Sequence, residues 1–172
     1  IIPAAGFGTR FLPATRSAPK LMLPVFDTPA IHFAVEEAVR AGIDQIVIVV
    51  SEQQEAITAY FSRIPDLEAA LEKKGEHELL ERMRAIPELA EISYVRQEEQ
   101  LGLGHAVLTA RGLVGDEPFA VLLPDDIIWD NTPTIGRMKE LFAKHGSTVI
   151  SVKEVPDDAV PSLGIIEPGR VD

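Results

Sequence analysis

The first acidic residue of this chain is Asp27, and the cations ahead of it, Arg10, Arg16 and Lys20, are threaded among Gly6, Gly8, Pro13 and Pro19. The chain as a whole carries a formal net charge of −11. Three positive charges without a local acidic neighbour repel one another unless an anion lies between them or water solvates each. Glycine at positions 6 and 8 lets backbone N–H groups approach an anion closely. Arg10 can fork onto two phosphate oxygens, and Lys20 can reach in as a compact point charge. Holding a polyphosphate is the chemistry that suits this spacing; solvated surface cations are the bland alternative.

The usual nucleotide motifs do not describe the stretch. A dinucleotide fingerprint needs a third glycine where Phe11 stands, and Pro13 prevents a helix from starting tightly behind the loop. A Walker loop needs G-x-x-x-x-G-K before Ser or Thr, and the chain has no such run. A second candidate group is Asp125 and Asp126, directly after the apolar run "FAVLLP" at 119–124. A carboxylate at the carboxyl end of a strand can hold Mg²⁺ against phosphate oxygens, and the same pair suits a solvated turn. With no cysteine in the chain, disulfides, thiolate zinc sites and cysteine nucleophiles are excluded together. His32, His77 and His145 share no spacing that suggests a metal site, and His105, after two glycines, reads as structural rather than as a general base.

These residues need a scaffold. Apolar, β-branched runs at Ile1 and Ile2, Ile46 to Val50, Ile92 to Val95, Phe119 to Leu123 and Thr148 to Val152 predict strands, with a short one at Leu163 to Ile166. Segments of helical period lie between most of them, so the pattern predicts an α/β protein, a Rossmann-like and mainly parallel sheet with helices on both faces. Thr28 and Pro29 read as N-cap and first residue of a helix whose buried stripe is Ile31, Ala34, Val35, Ala38 and Val39, closed by Gly42. Ser51 with Gln54 reads as a capping box for a helix carrying Ile57 and Phe61. Residues 66–86 predict two charged helices split near Gly75, a packed insertion with Leu67, Leu71, Leu79, Leu80 and Met83 at helical spacing. Gly104 to Gly112 and Thr134 to His145 predict two more. Residues 1–172 thus read as one nucleotide-binding domain, opening inside a strand and closing at a turn, as a piece of a longer protein would. The parallel sheet matters because open α/β sheets bind ligands at the carboxyl ends of their strands, where both the glycine loop and Asp125 fall.

The segments "PAAGFGTRFLPATRSAPKLMLPV", "VRQEEQLGLGHAV" at 95–107, "VGDEPFAVLLPDD" at 114–126 and "LGI" at 163–165 resemble, in this order, the motifs of the nucleotide-sugar pyrophosphorylases. "ATRSAPK" with "MLP" most resembles the bacterial branch that joins UTP to glucose 1-phosphate. The match covers essentially the whole chain. It implies a nucleotide-diphospho-sugar transferase fold and in-line attack of a sugar 1-phosphate on the α-phosphorus of a nucleoside triphosphate, expelling pyrophosphate. Such a reaction leaves the protein mostly positioning and charge neutralisation to do. The resemblance implies catalytic, triphosphate-binding roles for Arg10 and Lys20 and nucleotide contacts at Gly8 and Thr9. It implies Mg²⁺ on Asp125, with sugar contacts at Asp126 and Gly164. Base recognition is implied for the backbone of Ala5 and Gly6, for Gln97 and for the backbone of Gly102. It further implies a homo-oligomer.

Two positions depart from the family's pattern. Leu21 follows the lysine where an acidic residue is usual, and Leu163 precedes Gly164 where tyrosine is usual. Both lie near base or sugar selection, which leaves open another base or sugar, such as thymidylyl transfer, or a regulatory paralogue that binds without turnover. The pI near 4.8 argues against a nucleic-acid surface. No apolar run reaches the length of a membrane span, and a cytoplasmic protein is the expectation.

Overall fold

A computed structural model describes residues 1–51, 55–166 and 169 of the chain. It divides into two compact units, Ile1–Arg137 and Met138–Asp172.

The first unit is built on a short strand β1 (Ile2–Pro3), followed by three 3-10 turns and a hairpin of β2 (Pro24–Val25) with β3 (Thr28–Pro29). Next come α1 (Ala30–Arg40), β4 (Gln45–Val50), α2 (Glu55–Tyr60), α3 (Pro65–Lys74), α4 (His77–Ala85) and β5 (Glu91–Arg96). Helices α5 (Leu103–Thr109) and α6 (Arg111–Val114) follow, and α7 (Thr134–His145) runs on into the second unit. The fold is α/β, as the alternation predicts, and its sheet is parallel in the order β1-β4-β5, with Ile48 opposite both Ile2 and Tyr94.

Strand β4 is central because its residues are apolar on both sides. Val49 packs with Ala106 and Ala110, joined by Val47, Val95 and Val114, so α5 and α6 cover that face. Alternation turns Ile46, Ile48 and Val50 to the other face, and these are also buried. Helix α1 buries Ile31, Ala34, Val35 and Ala38, while Val39 is half-buried. Each fully buried valine or isoleucine of this kind contributes about 1.5–3 kcal/mol.

Several boundaries differ from the expectation. Thr28 and Pro29 belong to the hairpin, where Thr28 Oγ1 donates to Asp27, and α1 starts at Ala30 with Pro29 extended before it. Gly42, at φ 71°, closes α1 as expected, and the Ile43 N–H returns to the Ala38 carbonyl. Gln54 of the expected capping box lies outside the described residues. The helix read over 104–112 is two, α5 and α6, meeting at Ala110. Phe119 to Leu123 forms no ladder: Ile1 N donates to the Ala120 carbonyl at 2.8 Å and Leu122 N to the Ile1 carbonyl at 3.1 Å. With β1 only two residues long, one partner residue is all that this run finds. Thr148 to Val152 and Leu163 to Ile166 are not strands either; Ile150, Val152 and Ile165 are exposed, and no neighbouring backbone among the described residues pairs with them.

The two charged helices over 66–86 are present as α3 and α4, with Gly75 at φ 74° between them. Leu71 and Leu80 are buried, while Leu67 and Leu79 are exposed. An unforeseen feature sits beside them. Glu68 is buried and accepts from Nε of Arg63 at 2.9 Å, from a second Arg63 nitrogen, and from Nε of Arg84 at 3.1 Å.

In the second unit α7 ends at Gly146, φ 65°, and a 3-10 turn spans Val160–Ser162. No helix among the described residues is long and apolar enough to cross a membrane.

Candidate active site

Because the sheet is parallel, the segments that leave the carboxyl ends of β1 and β5 emerge on the same side. The β1 segment is the glycine loop. Gly8 has φ 64° and ψ 33°, the left-handed region that glycine enters without penalty. A Cβ added there would stand 2.6 Å from Lys20 Cβ and 3.0 Å from Thr15 Cγ2, so only glycine lets the loop lie against Lys20. The buried Thr15 fastens this approach, its Oγ1 donating to the Gly8 carbonyl at 2.9 Å. At Gly6 a Cβ would meet nothing within 4 Å, so that position borders open space.

Pro3, Ala4, Gly6, Lys20, Leu21 and Asp125 line a cleft of about 100 Å³. Across it Lys20 Nζ donates to Asp125 Oδ2 at 2.6 Å, joining residues 105 apart in sequence. The lysine side chain is 26% exposed and the aspartate 54%, so both remain within reach of water. The hydrogen bond from Lys20 holds the Asp125 carboxyl below its ordinary pKa; burial opposes this, and the charges of Lys20 and then Arg10 add to it. Leu21, in place of the acidic residue usual in the family, is buried in the cleft wall. Thr9, Arg10 and Phe11 form an exposed 3-10 turn, and Arg16 is exposed. Asp126 is exposed on the next turn, its N–H bonded to the Leu123 carbonyl at 3.0 Å.

The residues expected to read a base gather in the segment after β5. Gln97 is buried, its N–H donates to the Val50 carbonyl at 2.9 Å, and its Nε2 donates to the Gly102 carbonyl at 3.2 Å. Since a carbonyl only accepts, this second bond fixes the orientation of the Gln97 amide. The same Nε2 lies 2.9 Å from His105 Nδ1, which must then accept, placing the proton of a neutral imidazole on Nε2. His105 thus meets Gln97 within the same segment. Gly102 has φ 95° and ψ −175°, again glycine territory. Gln100 Nε2 donates to the Ala5 carbonyl at 2.6 Å and so ties this segment to the glycine loop. Gln100 and Thr15 are contacts that no motif announces, because each works through a single hydrogen bond to a distant or irregular backbone carbonyl.

Gly164 lies in the second unit, exposed, with nothing within 4 Å of where a Cβ would stand. Among the described residues no group of three or more His, Asp or Glu gathers to hold a metal ion.

A family model described as nucleotidyl transferase matches residues 1–172. The UTP–glucose-1-phosphate uridylyltransferase of Staphylococcus haemolyticus (strain JCSC1435) is 52% identical over 168 residues, 98% of this chain and 58% of the relative. A solved UDP-glucose pyrophosphorylase from Acinetobacter baumannii superposes with a TM-score of 0.90 at 45% identity, over 95% of this chain and 59% of that one. A UTP-bound form from the same organism gives a TM-score of 0.81 at 44% identity, over 85% and 52%. The chain therefore spans a little under three fifths of the curated relative's length.

Proposed function

Since the chain belongs to the nucleotidyl transferase family, we propose that it is the nucleotide-binding part of an enzyme that joins UTP to glucose 1-phosphate, releasing pyrophosphate and forming UDP-glucose. The observation that carries this reading is the Lys20–Asp125 pair across a cleft floored by the glycine loop. An exposed pair of this kind is worth about 0–1 kcal/mol, so a ligand bearing several charges can open it. In that exchange Lys20 leaves the carboxylate for triphosphate oxygens, and Arg10, already felt at Asp125, takes a second position on the same tail.

Asp125 is then free to hold a divalent cation. A single carboxylate fits Mg²⁺, which takes one or two protein oxygens and completes its shell with water and substrate phosphate. When bound, Mg²⁺ supplies charge neutralisation on the phosphates. A phosphate oxygen of the sugar 1-phosphate forms the new bond to the α-phosphorus, and the bond to the bridging oxygen of the β-phosphate breaks. The attacking phosphate is already ionised, so no side chain need accept a proton. The charge that builds on the departing pyrophosphate is met by Lys20 and Arg10. The backbone of Ala5, Gly6 and Gly102, with Gln97, forms the base side of the same site, while Gly8 and Thr9 support the phosphate side. Asp126 and Gly164 are assigned to the sugar. A cytoplasmic location and a homo-oligomeric state are part of the same proposal and rest on sequence resemblance.

The test is a matrix of nucleoside triphosphates and sugar 1-phosphates with the full-length protein and Mg²⁺, following pyrophosphate. Release with UTP and glucose 1-phosphate alone is the expected result. Release with another pair would transfer the specificity, and nucleotide binding without release would overturn catalysis.

A further inference from the structure

The structure assigns a positioning role to Gln100: by holding the Ala5 carbonyl it aims the Gly6 N–H that a bound nucleotide would meet. The inference rests on the nucleotide-binding reading of the glycine loop. A trans peptide is planar, with its C=O and N–H pointing to opposite sides. The Ala5 carbonyl and the Gly6 N–H are the two ends of one such plane, so a bond that fixes the first fixes the second. At 2.6 Å the bond from Gln100 Nε2 is a short one. Gly6 itself offers little resistance to rotation, having no side chain and open space where one would be. No acceptor among the described residues meets the Gly6 N–H. Without Gln100 the peptide would be held only by its chain neighbours, of which Ala4 is anchored through its N–H to the Val49 carbonyl at 2.7 Å.

Gln100 can do this because its own segment is closed. The Gln97 N–H holds the Val50 carbonyl, the Gln97 side chain spans to the Gly102 carbonyl, and Leu101 N turns back to the Glu99 carbonyl at 2.9 Å. The 97–102 segment is thus a small frame resting on β4, and Gln100 is the arm that reaches from it to the glycine loop. The segment after β5 and the start of the glycine loop are joined through this amide.

Two substitutions separate the hydrogen bond from the bulk of the side chain. Gln100→Glu keeps the shape but can only accept, and Gln100→Lys restores a donor. In nucleotide-free, 15N-labelled protein the Gly6 amide resonance should shift in Gln100→Glu and return toward its original position in Gln100→Lys. The KM for UTP should rise about tenfold in Gln100→Glu, the worth of one hydrogen bond, with kcat within twofold. Gln100→Lys should recover most of the KM. An unmoved Gly6 resonance or an unchanged KM in Gln100→Glu would overturn the assignment. If the unsubstituted protein neither bound nor turned over UTP, the functional reading would fall instead, and the Gly6 resonance would still decide whether Gln100 orients this peptide.

Discussion

Two acidic residues of this protein, Asp125 and Glu68, are each bonded to basic partners, yet they serve opposite ends. Among the described residues Asp125 has one basic side-chain partner, Lys20, and its own side chain is more than half exposed at the edge of a cleft. Glu68 has two partners, Arg63 and Arg84, and its side chain is only 7% exposed beside the paired helices α3 and α4. Arg63 pins Glu68 below its usual range, to about 2, and Arg84 adds to the effect. A carboxylate whose two oxygens are both engaged, in a site nearly closed to water, has no capacity left for a ligand. One that shares a single bond at an open cleft can exchange it. An ion pair is thus informative about function when it can be taken apart, and about structure when it cannot.

The largest effect that tests this contrast is on catalysis. Lys20→Ala should lower turnover by a few hundredfold, on the order of 3 kcal/mol of transition-state stabilisation, with a circular dichroism spectrum and unfolding midpoint close to those of the unsubstituted protein. A marked loss of stability instead would place Lys20 with Arg63 and Arg84 among structural cations. Next in size is Gly8→Ala. Its new Cβ occupies a left-handed conformation, costing roughly 1–2 kcal/mol, and presses on Lys20 Cβ, a rigid atom near the backbone. Chemical denaturation should register that loss and the pyrophosphate assay a fall in activity; a variant that lost stability but kept full turnover would uncouple Gly8 from the position of Lys20.

The smallest effect is a change of slope with pH. Because the folded-state pKa of Glu68 is depressed, its stabilising contribution is complete above the carboxylate's ordinary value near 4.5 and is lost as pH falls toward about 2. Glu68→Gln should flatten the decline of the unfolding midpoint between those limits while leaving turnover near neutrality unaltered. Equal slopes for both proteins in that window would remove Glu68 from the stability account.

Much of this arrangement was legible in residue order, for reasons that can be named. The glycine loop, Lys20 and Asp125 were readable because positive φ, cations without local partners and a carboxylate after an apolar run each leave a mark on composition. Strands β4 and β5 and helix α7 fell where periodicity put them. The runs at 148–152 and 163–166 read as strands because they are apolar, but a strand also needs a neighbour to pair with, and pairing is not a property of a run alone. The interior place of Glu68 could not be foreseen, since its burial depends on two arginines, one 16 residues away, closing over it. Gln100 looked like an ordinary polar residue, and its role is set by a carbonyl 95 positions earlier.

The stretch carrying Asp125 is fastened at both ends. Upstream, Leu122 is bonded to Ile1; downstream, Arg40 grips the carbonyls of Asp130 and Asn131, and Glu37 accepts the Ile135 N–H at the start of α7. The carboxylate therefore rides on a leash with two posts, one at Ile1 just before the first strand and one on α1. The chain between these posts brings Asp125 to the cleft edge opposite Lys20 while leaving the carboxylate itself more than half exposed, so its place is set by the scaffold and not by its own partner.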